Sequence, residues 1–146
     1  MKTVRAESIK TRLTDGKELA ILDVREDGQF GEGHLLHAVS LPYSRLELNV
    51  AALIPRVDVP VFVVDDGNGN GVAEKAALRL EAMGYSDVSI LDGDLASCVA
   101  AGFTLFKGEN VPSKTLGELA EEVGQLPSIN AEEMKRMLDQ DDDYIL

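Results

Sequence analysis

The stretch Pro60-Val61-Phe62-Val63-Val64-Asp65-Asp66-Gly67-Asn68-Gly69-Asn70-Gly71 carries most of what the chain says about its architecture. An unbroken apolar run opened by a proline reads as a strand covered on both faces, the pattern of a parallel sheet. The glycines and asparagines that follow permit a tight turn. Val72 to Met83 then continue as a helix whose Ala73, Ala76, Ala77, Leu80 and Met83 share one face before Gly84 ends it. In such a unit the loop lies beyond the carboxyl end of the strand, where backbone amides and a helix N-terminus converge on ligands. Between Pro60 and Gly84 there is no cysteine, serine, threonine or histidine, so this loop offers only carboxylates, amides and backbone.

Outward from that unit, the pattern repeats. Ile9 and Leu13 set the stripe of a first helix that starts near Ala6 and stops at Thr14-Asp15-Gly16. Ala20 to Val24, Ala38 to Pro42 and Val88 to Leu91 are further strands, and Leu95 to Ala101 is a short helix with Leu95, Cys98 and Val99 on its apolar stripe. Strands alternating with helices predict an α/β fold, a parallel sheet flanked by helices on both faces. A chain of 146 residues suffices for one domain burying about 70% of its unfolded surface without disulfides. The single cysteine forms no internal disulfide. A net charge of −12 with no basic stripe excludes nucleic acid and anionic membrane surfaces as partners. No apolar run reaches the roughly 20 residues of a membrane span and no apolar secretory core is present, so a cytoplasmic protein is expected.

Asp23-Val24-Arg25-Glu26, Phe30, Gly33-His34-Leu35, Ala38 and Leu41-Pro42, followed by Leu91-Asp92-Gly93 and Ala101-Gly102-Phe103, resemble the two signatures of the rhodanese-like (sulfurtransferase) superfamily over residues 3 to 106. The resemblance implies a rhodanese-like fold and makes residues 65–71 the active-site loop. It also implies a cysteine at the end of the strand, which takes sulfane sulfur from a donor such as thiosulfate and passes it on in a double displacement. Here Asp65 stands in the cysteine's place counting from the strand, and Gly67 counting back from the helix. Neither carries sulfur. His37, Asp94 and Cys98 are further departures, at positions where glycine, glycine and tryptophan are frequent.

Electrostatics point the same way. Two unit charges about 4 Å apart repel by roughly 1 kcal/mol in water and about 4 kcal/mol at an effective dielectric of 20, and Asp65 and Asp66 would both meet an incoming anion. Three other chemistries fail on spacing. Asp66, Asn68, Asn70 and Gly71 follow the start of an EF-hand loop, but Ala77 stands where the bidentate glutamate belongs. A dehalogenase-type phosphatase needs two aspartates separated by one residue, whereas Asp65 and Asp66 are adjacent and point to opposite sides. His34 and His37 lack a third ligand for zinc. No cofactor and no metal are expected. The plain role of the loop is a turn in which Asp66 or Asn68 caps the following helix. Cys98 reads as a core residue, since Asp92 and Asp94 would oppose a reactive thiolate. Asp23, Arg25 and Glu26, with Gly33 and His34, take the family's structural positions by resemblance.

A second feature concerns organisation. Residues 128–138, Ser-Ile-Asn-Ala-Glu-Glu-Met-Lys-Arg-Met-Leu, repeat residues 3–13, Thr-Val-Arg-Ala-Glu-Ser-Ile-Lys-Thr-Arg-Leu, at a constant offset of 125 without a gap. The expected arrangement is a rhodanese-like domain over 1–107, a connection over 108–127 and the truncated start of a second rhodanese-like repeat over 128–146. In the connection, Val111-Pro112-Ser113 reads as extended and Leu116 to Val123 as a helix with a capping box from Thr115 and Glu118. The expected partners are other rhodanese-like domains of the parent chain. Met134, Met137, Leu138 and Tyr144-Ile145-Leu146 also leave apolar surface that a homodimer or a swap would cover. Two functions follow: a non-catalytic module with a structural, docking or regulatory role, or a sulfurtransferase using Cys98 or a cysteine from another domain.

Overall fold

A computed structural model of the chain describes residues 2–108, 113–114, 116–117 and 129–139. The chain divides into two compact units, Met1–Pro112 and Ser113–Leu146. The expected linker helix with Thr115 and Glu118, the extended Val111-Pro112 and the segment Tyr144-Ile145-Leu146 lie wholly or largely outside the described residues, and Ser113, expected to be extended, is helical with Lys114.

In the first unit, five strands form a parallel sheet. They are β1 (Lys2–Val4), β2 (Ala20–Asp23), β4 (Ala38–Ser40), β5 (Val61–Val64) and β6 (Val88–Leu91), in the order β1-β6-β5-β2-β4. β3 (His34–Leu35) and β7 (Leu105–Phe106) make a separate antiparallel pair. The helices are α1 (Ala6–Leu13), α2 (Asp27–Glu32), α3 (Leu46–Leu53), α4 (Val72–Ala82) and α5 (Leu95–Ala100).

The period of two in β5 explains the layers. Val61 and Val63 enter one core with Leu46 and Val50 of α3, Ile54 just after it, and Ala73, Ala76, Ala77 and Leu80 of α4. Phe62 and Val64 enter the other, with Ala6 and Ile9 of α1 and Cys98 of α5. The sheet is therefore covered on both faces, as expected. Gly84 closes α4 at φ +99°, a left-handed value that favours glycine.

Some readings are corrected. β1 has no counterpart among the expected strands, because three residues at an edge carry no alternation to recognise; it is held by its parallel register on β6, Val4 opposite Leu91. α2 and α3 are likewise additional. Val24, Leu41 and Pro42 fall outside the strands assigned to them, and Met83 is the residue that ends α4. Val99 does not share the buried stripe of α5: it is half exposed, and Cys98 alone is fully buried there.

α1 is anchored by Ile9, which is fully buried. Ile9→Ala should lower unfolding stability by about 3 kcal/mol, measured from urea midpoints.

Candidate functional site

The chain leaves β2 toward β4 on one side and returns through β5 on the other, so a crevice opens between the carboxyl ends of β2 and β5. A cleft of about 280 Å³ lies there, lined by Arg25, Glu26, Tyr43, Asp65, Asp66 and Asn68 among others.

Its floor on the β2 side is an ion pair. The Asp23 carboxylate is fully buried and accepts from Arg25 Nε at 2.8 Å and Nη2 at 2.6 Å. Arg25 Nη2 also donates to the Gly33 carbonyl at 2.7 Å, tying the end of α2 to the sheet. Burial pulls the Arg25 guanidinium down, but its hydrogen bond to Asp23 and the charges of Asp23, Asp66 and Asp65 leave it above its ordinary value. Arg25 is thus committed to Asp23 and Gly33. Glu26 lies apart from that pair: its amide donates to Gln29 Oε1 at 3.3 Å at the start of α2, and its carboxylate accepts from Ser44 Oγ at 3.4 Å.

On the β5 side the loop folds on its own side chains. Asp65 Oδ1 accepts from the Gly67 amide at 2.9 Å and Oδ2 from the Ala73 amide at 3.1 Å. One carboxylate therefore closes the turn and satisfies a free amide in the first turn of α4. The expectation that Asp66 or Asn68 caps this helix is corrected, because both turn back into the loop: Asp66 accepts from the Asn68 amide and side chain at 3.3 and 2.7 Å, and Asn68 Oδ1 from the Asn70 amide at 2.9 Å. Gln29 Nε2 reaches across to Asp66 Oδ2 at 3.2 Å, joining α2 to the loop. Gly67, Gly69 and Gly71 all adopt positive φ. Gly67 is fixed in a second way, since a Cβ built there would lie 2.8 Å from Asp94 Cβ and 3.2 Å from Asp94 Cα.

His34 is buried outside the cleft. Its ring stacks on Phe30 at 3.8 Å, and Nδ1–H donates to the Phe30 carbonyl at 3.0 Å. His37 is exposed, so the two histidines do not form a pair of ligands. Among the described residues no group of three or more histidines, cysteines, aspartates or glutamates is placed to hold a metal ion. Cys98 is fully buried, and burial, with the charge of Asp94, pushes its thiol up to about 11. Sequence reasoning missed the Gln29 bridge and the Asp94 contact with Gly67, both of which join positions remote in the chain. The Asp65 turn onto the Gly67 amide was better signalled, by an aspartate two residues before a glycine.

Residues 5–101 match the model of the rhodanese-like domain family. The chain belongs to that family. This rhodanese-like domain is similar to the thiosulfate sulfurtransferase of Pseudomonas aeruginosa, with 46% identity, a TM-score of 0.90 and coverage of 97% of this chain. It spans 27% of that chain's length. It is also similar to the Alr3790 protein of Anabaena, with 28% identity, a TM-score of 0.64 and coverage of 82% of this chain and 93% of that one. The uncharacterized protein YibN of Escherichia coli strain K12 is 29% identical over 101 residues, 68% of each chain. The rhodanese-like domain is therefore sulfurtransferase-related by family. No described helix is long and apolar enough to cross a membrane.

Two outcomes follow. Arg25→Met leaves the Asp23 carboxylate buried without its partner and should cost about 3 kcal/mol of stability, read by urea unfolding. The folded Cys98 thiol keeps its proton to about pH 11 against an ordinary 9.0, so its contribution is whole below 9.0 and is lost as pH rises toward 11. Cys98→Ala should flatten that part of the alkaline decline in urea midpoints.

Proposed function

We propose that this rhodanese-like domain is a non-catalytic module, giving structure, docking or regulation to other rhodanese-like domains of its parent chain. The observation that carries the reading is the Asp65 carboxylate, which accepts from the Gly67 and Ala73 amides. In the active-site module the resemblance implies, loop amides and a helix N-terminus would receive a charged sulfur species. Here two of those amides are taken by a carboxylate of the chain itself. Asp66 adds a second negative charge, while Arg25 is held by Asp23. The alternative position for a sulfur carrier, Gly67, combines φ +65° with contact against Asp94, which opposes any side chain there.

A second reading, an active thiosulfate-type sulfurtransferase, is favoured by the 46% identity to the Pseudomonas aeruginosa enzyme. It would draw its thiol from Cys98 or from another domain. The burial of Cys98 and the upward displacement of its titration weigh against that cysteine, because the thiolate is the nucleophile.

The test is a thiosulfate-to-cyanide sulfurtransferase assay on the chain and on its Cys98→Ser variant. Thiocyanate production at background for both is expected, whereas activity that disappears with Cys98→Ser would establish the second reading. Asp65→Cys should remain inactive, since the loop is shaped around the carboxylate, and Gly67→Cys should be inactive and less stable than Asp65→Cys. Robust turnover by Asp65→Cys would sink the loop argument.

A further inference from the structure

In the first unit, β1 and α1 act as a hook that closes one edge and one face of the sheet. Val4 pairs with Leu91 in the ladder, and Val4, Ala6, Ile9 and Leu13 pack into the core made by Ile21, Phe62, Val64 and Leu91. The hook ends in a polar latch. Lys10 Nζ donates to the carbonyls of Ala101 and Gly102 at 3.3 and 3.1 Å, where α5 ends, and lies 5.8 Å from the centre of the Phe103 ring. A cation on those carbonyls complements the free acceptors and negative end of the helix.

The second unit repeats that hook at an offset of 125. Its helix Ala131–Asp139 starts where α1 starts, Ala6 plus 125. The Met134 amide donates to the Asn130 carbonyl as Ile9 donates to Arg5. Ile129, Ala131, Met134 and Leu138 stand for Val4, Ala6, Ile9 and Leu13, and Lys135 stands for Lys10. Strand pairing and burial differ: Val4 lies in β1 whereas Ile129 lies in no strand, and Ile9 is 0% exposed, whereas Met134 is 37%, Leu138 49% and Ile129 55% exposed. The repeated hook has its own start signal, because Asn130 Oδ1 accepts from the Glu133 amide at 2.8 Å and Glu133 Oε2 from the Asn130 amide at 3.1 Å, a reciprocal cap.

We propose that residues 128–138 are a second hook and that the surface they dock on is a parallel sheet of rhodanese-like build. That surface has an edge strand free to pair beside Ile129, an apolar face for Ala131, Met134 and Leu138, and a helix C-terminus for Lys135. No residue of the loop takes part in this docking, so it is independent of whether the domain is catalytic. What identifies the partner is the repeat of both the apolar register and the latch, which a stripe seeking any apolar surface would not need.

The test uses the seat that is present. Thr3→Ser, Val4→Ile, Arg5→Asn, Ser8→Glu, Ile9→Met, Thr11→Arg and Arg12→Met together give the full chain a first hook with the sequence of the second. The variant should unfold in one cooperative thermal transition with a midpoint within about 10 °C of the parent, and Lys10→Ala should lower the midpoint equally in both backgrounds. Loss of the transition overturns the proposal, whether it arises with Ile9→Met alone or only with the full set. Unequal effects of Lys10→Ala overturn the latch. A parent dimer that Met134→Asp dissociates in sedimentation, beside a variant that fails to fold, would make the stripe a helix-to-helix seam and overturn it too.

Discussion

Every side chain of β5 is buried, none more than 5% exposed, and both faces of that strand need cover. This constraint organises the rest of the first unit. A strand buried on two sides pairs on two edges, with β2 and β6, and draws helices to both faces. With the faces and edges occupied, the strand meets solvent at its carboxyl end. The loop at 65–71 sits there, and chemistry of any kind in this unit has that end as its natural place.

What that end holds is decided by where hydrogen-bond capacity goes. The turn at Gly67, Gly69 and Gly71 brings backbone amides inward, and those donors need acceptors. A bound anion could serve, but in this rhodanese-like domain Asp65 serves for two of them and Gln29 fastens Asp66 from the neighbouring helix. On the other side of the crevice Asp23 and Arg25 compensate each other, since a buried carboxylate without its guanidinium would be costly. The cleft therefore has loop amides taken by the chain's own carboxylates on one side and a buried ion pair on the other.

The same economy of partners distinguishes the two hooks. α1 spends its apolar face on the sheet and its lysine on the end of α5. The helix Ala131–Asp139 has apolar residues and a lysine in the same register, with Met134 in the place of Ile9, and Met134 and Leu138 are exposed. A similar local pattern thus produces a helix at both places, and burial is set by tertiary packing.

The sequence by itself determined the α/β class, the positions of β2, β4, β5, β6, α1 and α4, the family resemblance and the repeat at 125. These follow from periodicity, runs of apolar residues and turn chemistry, all of which act between near neighbours in the chain. It also marked the cleft loop by its glycines and its lack of a nucleophile. The tertiary structure alone decided that Asp65 and not Asp66 or Asn68 caps α4, that Gly67 presses on Asp94, that Gln29 reaches the loop, and that Val99 faces solvent beside a buried Cys98. It alone revealed β1, too short to show a period. Each of these turns on a contact between segments far apart in sequence, or on a side-chain direction set by packing, and no local pattern encodes either.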